Sequence, residues 1–184
     1  MREQASGADE SGKIKRVAEI MKKSRSVLFI TGAGISADSG LPTYRGAGGL
    51  YNDTETDEGI PIETALAGAT LASKPEVTWK YLGQIERRCR NARFNRGHEV
   101  IALAQRKIER VWVLTQNIDG FHRAAGSNNV IDIHGNLYDI YCKACGWRER
   151  VRDYSRIKIP PECPQCNRIA RPDVVFFGEM LSPE

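Results

Sequence analysis

Four of the five cysteines fall in two tight pairs, Cys142 with Cys145 and Cys163 with Cys166. The pattern is C-x2-C, a gap of seventeen residues, and a second C-x2-C. Two residues between thiolates let both sulfurs of a turn point at one ion. Two such turns complete a tetrahedral shell with Zn–S near ~2.3 Å. Four thiolates leave no open position, so the metal expected here is a structural zinc. Two disulfides or four unrelated thiols are the bland alternatives, and a reducing compartment favours the metal. Gly146 and Pro164 beside the pairs suit tight turns. Cys89, alone in a basic helical stretch, reads as a small buried or half-buried hydrophobe.

Three further polar clusters each follow an apolar run. Gly32-Ala33-Gly34-Ile35-Ser36-Ala37 fits G-x-G-x-x-G/A after Val27–Ile30. Glycines there let backbone N–H groups approach a pyrophosphate, and a helix N-terminus favours its charge. Taken alone, a mere tight turn fits the segment as well. The usual acidic ribose partner about 20 residues on would fall near Asp53, in a loop and not at a strand end. That weakens an ordinary dehydrogenase reading. Thr115-Gln116-Asn117-Ile118-Asp119 follows Val111–Leu114, and His134 follows Val130–Ile133. An imidazole can exchange a proton near neutral pH, so His134 is a candidate base; a capping histidine at a strand end is the plain alternative. His122 is placed to orient the 115–119 loop, and His98 reads as a surface residue.

These clusters need a scaffold. Ile14, Val17, Ala18 and Met21 share one face of a predicted helix that Ser11 can cap, while residues 1–12 read as a disordered tail. Val27–Ile30 and Val111–Leu114 are continuous apolar runs, predicting strands buried on both faces of a parallel sheet. Helices are predicted at Ile62–Ala72, Val77–Arg93 and Glu99–Ile108, short strands at Val130–Ile133 and Asp173–Phe177, and a long loop at Gly46–Pro61. Strands alternating with helices predict an α/β fold, and ligands in such sheets bind beyond the carboxyl ends of the strands. All three polar clusters lie there.

The 184 residues suffice for one domain with a small module, and 41% apolar and 27% charged residues are ordinary for a soluble protein. The net charge of +4 is mild and scattered, so nucleic-acid binding, including by the cysteine ribbon, is not indicated. The densest basic run, Arg87, Arg88, Arg90 and Arg93, reads as a solvated helix face. No apolar stretch approaches the roughly 20 residues that cross a bilayer, and the N-terminus lacks the apolar core of a secretory signal. An intracellular, cytoplasmic setting is expected.

Together the motifs resemble the sirtuin family. Residues 32–36 with Ser39-Gly40-Leu41-Pro42-Thr43-Tyr44-Arg45-Gly46 resemble its GAGIS-x-x-SGIPDFRG signature. Residues 115–119 match its TQNID, Ile133-His134-Gly135-Asn136-Leu137 its catalytic strand end, and the four cysteines its zinc ribbon. Arg171-Pro172-Asp173-Val174-Val175-Phe176-Phe177-Gly178-Glu179 resembles RPxVVxFGE. The resemblance implies a Rossmann-like NAD-binding domain over 13–141 and 167–184, with a cofactor loop and helical insertion at 46–96 and a zinc module at 142–166. It implies NAD-dependent removal of acyl groups from protein lysine, giving nicotinamide and O-acyl-ADP-ribose.

By the same resemblance His134 is the base acting on the ribose hydroxyls. Asn117 and Asp119 would hold the carboxamide and ribose, and Gln116 would contact the ribose beside His134. Gly32, Ala33, Gly34, Ile35, Ser36, Tyr44, Arg45 and Ile118 would complete the cofactor site. Val175, Phe177 and Gly178 would offer backbone to an extended acyl-lysine peptide, and Phe176 reads as core. Thr43 and Tyr44 stand where the family has Asp and Phe. Relatives that remove acidic acyl groups carry a Tyr-x-x-Arg pair after a Trp. Alignment on Trp79 places Leu82 and Ile85 there, implying a preference for neutral acyl groups. The family's second glycine-rich turn and its Asn-containing loop, which bind the adenosine half of NAD, have no counterpart in these residues. Either a fragment or a genuinely short relative is expected, and the short relative would have weak NAD affinity and a bare sheet edge. Two other readings stand beside deacylation: protein ADP-ribosylation by the same site, and an inactive binding module.

Overall fold

Val27, Leu28, Phe29 and Ile30 form the middle of β1 (Ser26–Thr31), which pairs in parallel with β2 (Arg110–Thr115). β2 pairs in parallel with β3 (Val130–Asp132), giving the order β1-β2-β3. The computed structural model describes residues 3–43 and 56–181. β-Branched and aromatic residues suit these strands, and the crossover from β1 to β2 carries the helices.

The last of those helices, α6 (Arg96–Lys107), covers one sheet face: Ile101 packs on Val113 and Val130, with Phe29 and Ile35 at the edge. The opposite face is open among the described residues. Leu28 is 54% and Ile30 68% exposed, and Trp112 and Ile131 are exposed beside them. Burial of β1 on both faces is therefore corrected to burial on one. The N-terminal helix α1 runs Glu3–Lys23, so the disordered tail expected over 1–12 is corrected to helix from Glu3 onward. Glu3, Gln4, Ala5, Ala8 and Glu10 are strong helix formers and outweigh Gly7 and Gly12. Its apolar stripe is not buried, and Ile14, Val17 and Ile20 face solvent.

The predicted helix at 62–72 is two short ones, α3 (Ile62–Ala65) and α4 (Gly68–Ser73). It breaks because Ala67 forms a parallel bridge with Phe177: the Phe177 N–H donates to Leu66 O and Gly68 N–H donates to Phe177 O. α5 (Pro75–Asn91) starts on a proline, whose missing N–H costs nothing at a helix N-terminus.

The second sheet is antiparallel, in the order β5-β4-β6, from β4 (Gly135–Tyr141), β5 (Arg148–Arg150) and β6 (Arg171–Val174). The expected boundaries of the zinc module, 142 and 166, are thus too narrow, because the strands flanking the cysteines on both sides belong to its sheet. The strand expected at 173–177 ends at Val174. Trp79 and Leu82 of α5 pack with Leu137, Ile140 and Phe176, so one core joins the helical insertion to this sheet. Trp79 adds a hydrogen bond, Nε1–H to Ala170 O at 3.1 Å. Cys89 is buried in the same core, as expected.

Candidate functional site

β1, β2 and β3 end side by side, and the three polar clusters leave from those ends. Thr31 pairs with Thr115, and Thr115 with Asp132. The glycine-rich segment turns at once into the five-residue α2 (Ala33–Ala37), whose N-cap Gly32 gives no side-chain cap. So short a helix does not hold itself together. Side chains of the 115–119 loop hold it instead.

Asn117 Nδ2 donates to Gly32 O and to Ser36 Oγ, both at 3.1 Å. Ser36 Oγ donates in turn to Asp119 Oδ2 at 2.7 Å. Asp119 Oδ1 accepts the Phe121 N–H at 2.9 Å, starting α7 (Phe121–Ala124). Asn117 and Asp119 are both buried. One expectation changes here. The Asn117 amide hydrogens are committed to the protein, so Asn117 offers a ligand its Oδ1 and not its NH2.

His134 lies at the joint between the two sheets. Its neighbour Ile133 donates to Thr115 O at 3.1 Å, and its own carbonyl accepts from Val175 N–H at 3.0 Å. Gly135 makes the turn with φ of +74°, and a Cβ there would sit 1.7 Å from Asp173 O. Only glycine fits that approach. The His134 ring is fixed by one bond, Nδ1 to Gln116 O at 2.9 Å. A carbonyl can only accept, so Nδ1 carries the hydrogen and the neutral ring keeps its lone pair on Nε2.

Two cavities meet at these residues. The smaller, about 110 Å³, is walled by Ala33, Ser36, Leu41, Asn117, Ile118 and Asp119. The larger, about 580 Å³, is walled by Gln116, His134, Leu82, Ile85 and Val174–Phe177. Ala33, Ile85, Asn117 and Ile118 line both. A small, largely apolar pocket edged by Ser36, Asn117 and Asp119 therefore adjoins a larger groove, and His134 is the one imidazole among the described linings of the two. Gly34 lines the groove, Ile35 packs under the sheet, and Gly32 supplies a carbonyl. Tyr44 and Arg45, named from the sequence, lie outside the described residues.

In the expected substrate strand the amide hydrogens of Val175 and Phe177 are already used. The Val175 and Phe177 N–H groups are bonded to His134 O and Leu66 O, and Phe177 O accepts from Gly68 N–H. Gly178, at φ of +79°, has no backbone bond among the described residues and remains available. Phe176 is core, as expected.

The histidines divide differently from the expectation. His98 is fully buried, not on the surface, because its Nδ1 accepts the Asn95 N–H at 3.2 Å and closes the N-cap of α6. His122, expected to orient the 115–119 loop, instead meets the end of β1: its Nε2 is 2.9 Å from Thr31 Oγ1. Its ring centroid is 4.9 Å from that of His98. The sequence signal for His98 was the Asn95-x-x-His98 spacing of a capping box, with His where Glu or Gln is usual.

Burial, with the neighbouring His98 adding to it, pushes the His122 imidazole from 6.5 down to about 4. Burial also lowers His98, against the pull of Asp119. Above pH 6.5 both forms of the chain are neutral at His122 and nothing is lost. Between pH 6.5 and 4 the unfolded chain binds a proton that the fold refuses, so stability falls by about 3 kcal/mol in all. His122→Gln should lose this part of the decline. Urea unfolding of both proteins at pH 7.5, 6 and 5 checks it; parallel curves would refute the assignment.

The four cysteine sulfurs all lie within 4.8 Å of one another. Cys142 and Cys166 are 3.5 Å apart, as are Cys145 and Cys163. Tetrahedral zinc with Zn–S near ~2.3 Å needs sulfurs about 3.8 Å apart, so the residues fit the ion. Both turns share one design. Gly146 N–H donates to Cys142 O and Asn167 N–H to Cys163 O, each at 2.9 Å, with Gly146 and Asn167 at positive φ. The Cys145 amide, directed at its sulfur, holds the Cys142 thiol down at about 7.

The Sir2 family model matches residues 32–184. The chain is 49% identical over 179 residues to NAD-dependent protein deacylase 2 of Pseudomonas aeruginosa, covering 96% of this chain and 70% of that one. It is 41% identical over 167 residues to NAD-dependent protein deacylase 1 of Caldanaerobacter subterraneus subsp. tengcongensis, covering 91% of this chain and 66% of the relative. Among solved structures, a Sir2 homologue–NAD complex superposes with a TM-score of 0.80 at 35% identity, covering 92% of this chain and 64% of the other. A Sir2 variant with a deacetylated p53 peptide and 3′-O-acetyl-ADP-ribose gives 0.79 at 32% identity, covering 92% and 67%. The chain thus spans about two thirds of the length of these relatives. Sequence motifs, sheet-end geometry and these likenesses agree, and the chain belongs to the Sir2 family.

Proposed function

We propose that this chain carries the reacting centre of an NAD-dependent protein-lysine deacylase. The observation that supports it most is the His134–Gln116 bond, which leaves a lone-pair nitrogen on a ring lining the groove beside the Asn117–Ser36–Asp119 pocket. NAD would place its nicotinamide in the smaller cavity and the ribose where the two cavities meet. The acyl oxygen of the lysine attacks the ribose carbon as the bond to nicotinamide breaks, and neutral nicotinamide leaves. His134 Nε2 then takes the proton of a ribose hydroxyl, whose oxygen attacks the acyl carbon. Addition of water and loss of the lysine amine give free lysine and O-acyl-ADP-ribose. Asn117 Oδ1 and the Asp119 carboxylate accept from the carboxamide or ribose, and four-thiolate zinc serves only the fold. The relatives' names and the peptide in a neighbouring structure support an acyl-lysine peptide as substrate. A cytoplasmic setting belongs to the same proposal and draws on the unpaired thiols, which zinc needs reduced.

The groove also bears on acyl choice. Leu82 and Ile85 line it, and none of its described lining residues is lysine or arginine. A carboxylate on the acyl chain would be desolvated with no cation, at a cost of several kcal/mol. Acetyl-lysine should be used at least roughly 100-fold faster than succinyl-lysine. Mass spectrometry of matched acetyl and succinyl peptides, with and without NAD, tests both claims. NAD-independent or absent turnover of the acetyl peptide defeats deacylation, label from NAD appearing on protein points to ADP-ribosylation, and equal use of succinyl-lysine defeats the acyl preference.

A further inference from the structure

We infer that Asn95 is a positioning residue for the glycine-rich loop, acting from outside the pocket. The inference rests on the deacylase reading above for its kinetic arm only. α2 is held on its pocket side by Asn117 and Asp119, groups that ligand contact would disturb. On its far side the tether is Asn95, which lines neither cavity. The Asn95 Nδ2 amide donates to Ile35 O at 2.6 Å and to Ser39 Oγ at 3.0 Å. Its Oδ1 accepts the Gly97 N–H at 2.9 Å and caps α6. One side chain thus spends its acceptor on a rigid helix and both donors on a loop with no cap of its own.

The contact surface fits the same role. A Cβ at Gly97 would meet Ile35 Cγ1 at 3.4 Å, so the start of α6 lies directly against α2. Ile35 in turn packs on the sheet core. Ala33 and Ser36, which wall the smaller cavity, are carried on the turn that Asn95 fixes. The other end of the α6 start, His98, abuts His122, which bonds Thr31 at the root of the same loop. Helix α6 therefore holds the loop at both ends.

The two jobs of Asn95 separate by substitution. Aspartate caps helices as well as asparagine but, ionised, has no hydrogen to donate to Ile35 O; serine also caps, but its shorter side chain carries one hydrogen in place of the two amide hydrogens. In Asn95→Asp the α6 cap should hold and the melting temperature should fall by only about 2–5 °C. Amide exchange of residues 32–39, measured without NAD or peptide, should speed up at least tenfold. KM for NAD should rise roughly tenfold, the size of two net hydrogen bonds, with kcat for an acetyl-lysine peptide little changed. Asn95→Ser should match it, and Asn95→Ala should add a loss of stability. Unchanged exchange over 32–39 in Asn95→Asp overturns the inference, as does a loss of stability with KM unmoved. If the wild-type chain turns over no NAD, the deacylase reading fails and the exchange arm alone decides this one.

Discussion

His134→Ala is expected to lower kcat for lysine deacylation by roughly 10²–10⁴-fold, the usual worth of a positioned general base. The fold should survive, because the ring is half-exposed and contributes one hydrogen bond, to Gln116 O. The backbone of residue 134 is held independently, by Val175 on one side and the Ile133–Thr115 bond on the other. The step affected is chemically distinct. Nicotinamide departs as a neutral leaving group when the acyl oxygen attacks, and no base is needed there. A base is needed when a ribose hydroxyl attacks the acyl carbon. The variant should therefore keep exchange of labelled nicotinamide into NAD while free lysine ceases to form. Normal deacylation by His134→Ala would remove the base assignment. Loss of both exchange and deacylation with a lowered melting temperature would show a structural role instead.

Removal of the metal should have the larger effect on stability. The thiolates are held by two backbone turns and not by an apolar core of their own, and β5 is exposed along its length. Sulfurs this close repel once ionised, so without a cation the turns oppose one another. Structural zinc contributes on the order of 10 kcal/mol to small modules of this kind. Cys142→Ser, or chelation, should release one zinc per chain and lower the melting temperature by at least ~10 °C. The damage should spread, because β4 and β6 flank the cysteines, β4 begins directly after His134, and the two strands share Leu137, Ile140 and Val174 with the core around Trp79. Activity should fall together with tryptophan burial. A metal-free Cys142→Ser protein with unchanged melting and full activity would contradict the structural zinc.

Some of this was fixed locally and could be read from the chain. C-x2-C pairs place sulfurs by covalent geometry and turn chemistry, so Cys142, Cys145, Cys163 and Cys166 needed no fold to be recognised. The apolar runs at 27–30 and 111–114 identify parallel strands, and the polar residues just after them must lie at the strand ends. Asn117, Asp119, Ser36 and His134 came together for that reason. What the chain could not show depends on partners distant in sequence. Periodicity marks a strand but not its neighbour, so β6 was placed in the wrong sheet and β4 was not foreseen. Burial of His98 depends on α6 packing against α7, and the amides of Val175 and Phe177 were spent on residues 134 and 66. The double use of the Asn95 amide is likewise a matter of two segments meeting. Sequence determined which groups this protein brings to its sheet edge. The tertiary structure decided which of their donors and acceptors remain free, because a hydrogen bond is claimed by whichever partner the packing brings within reach.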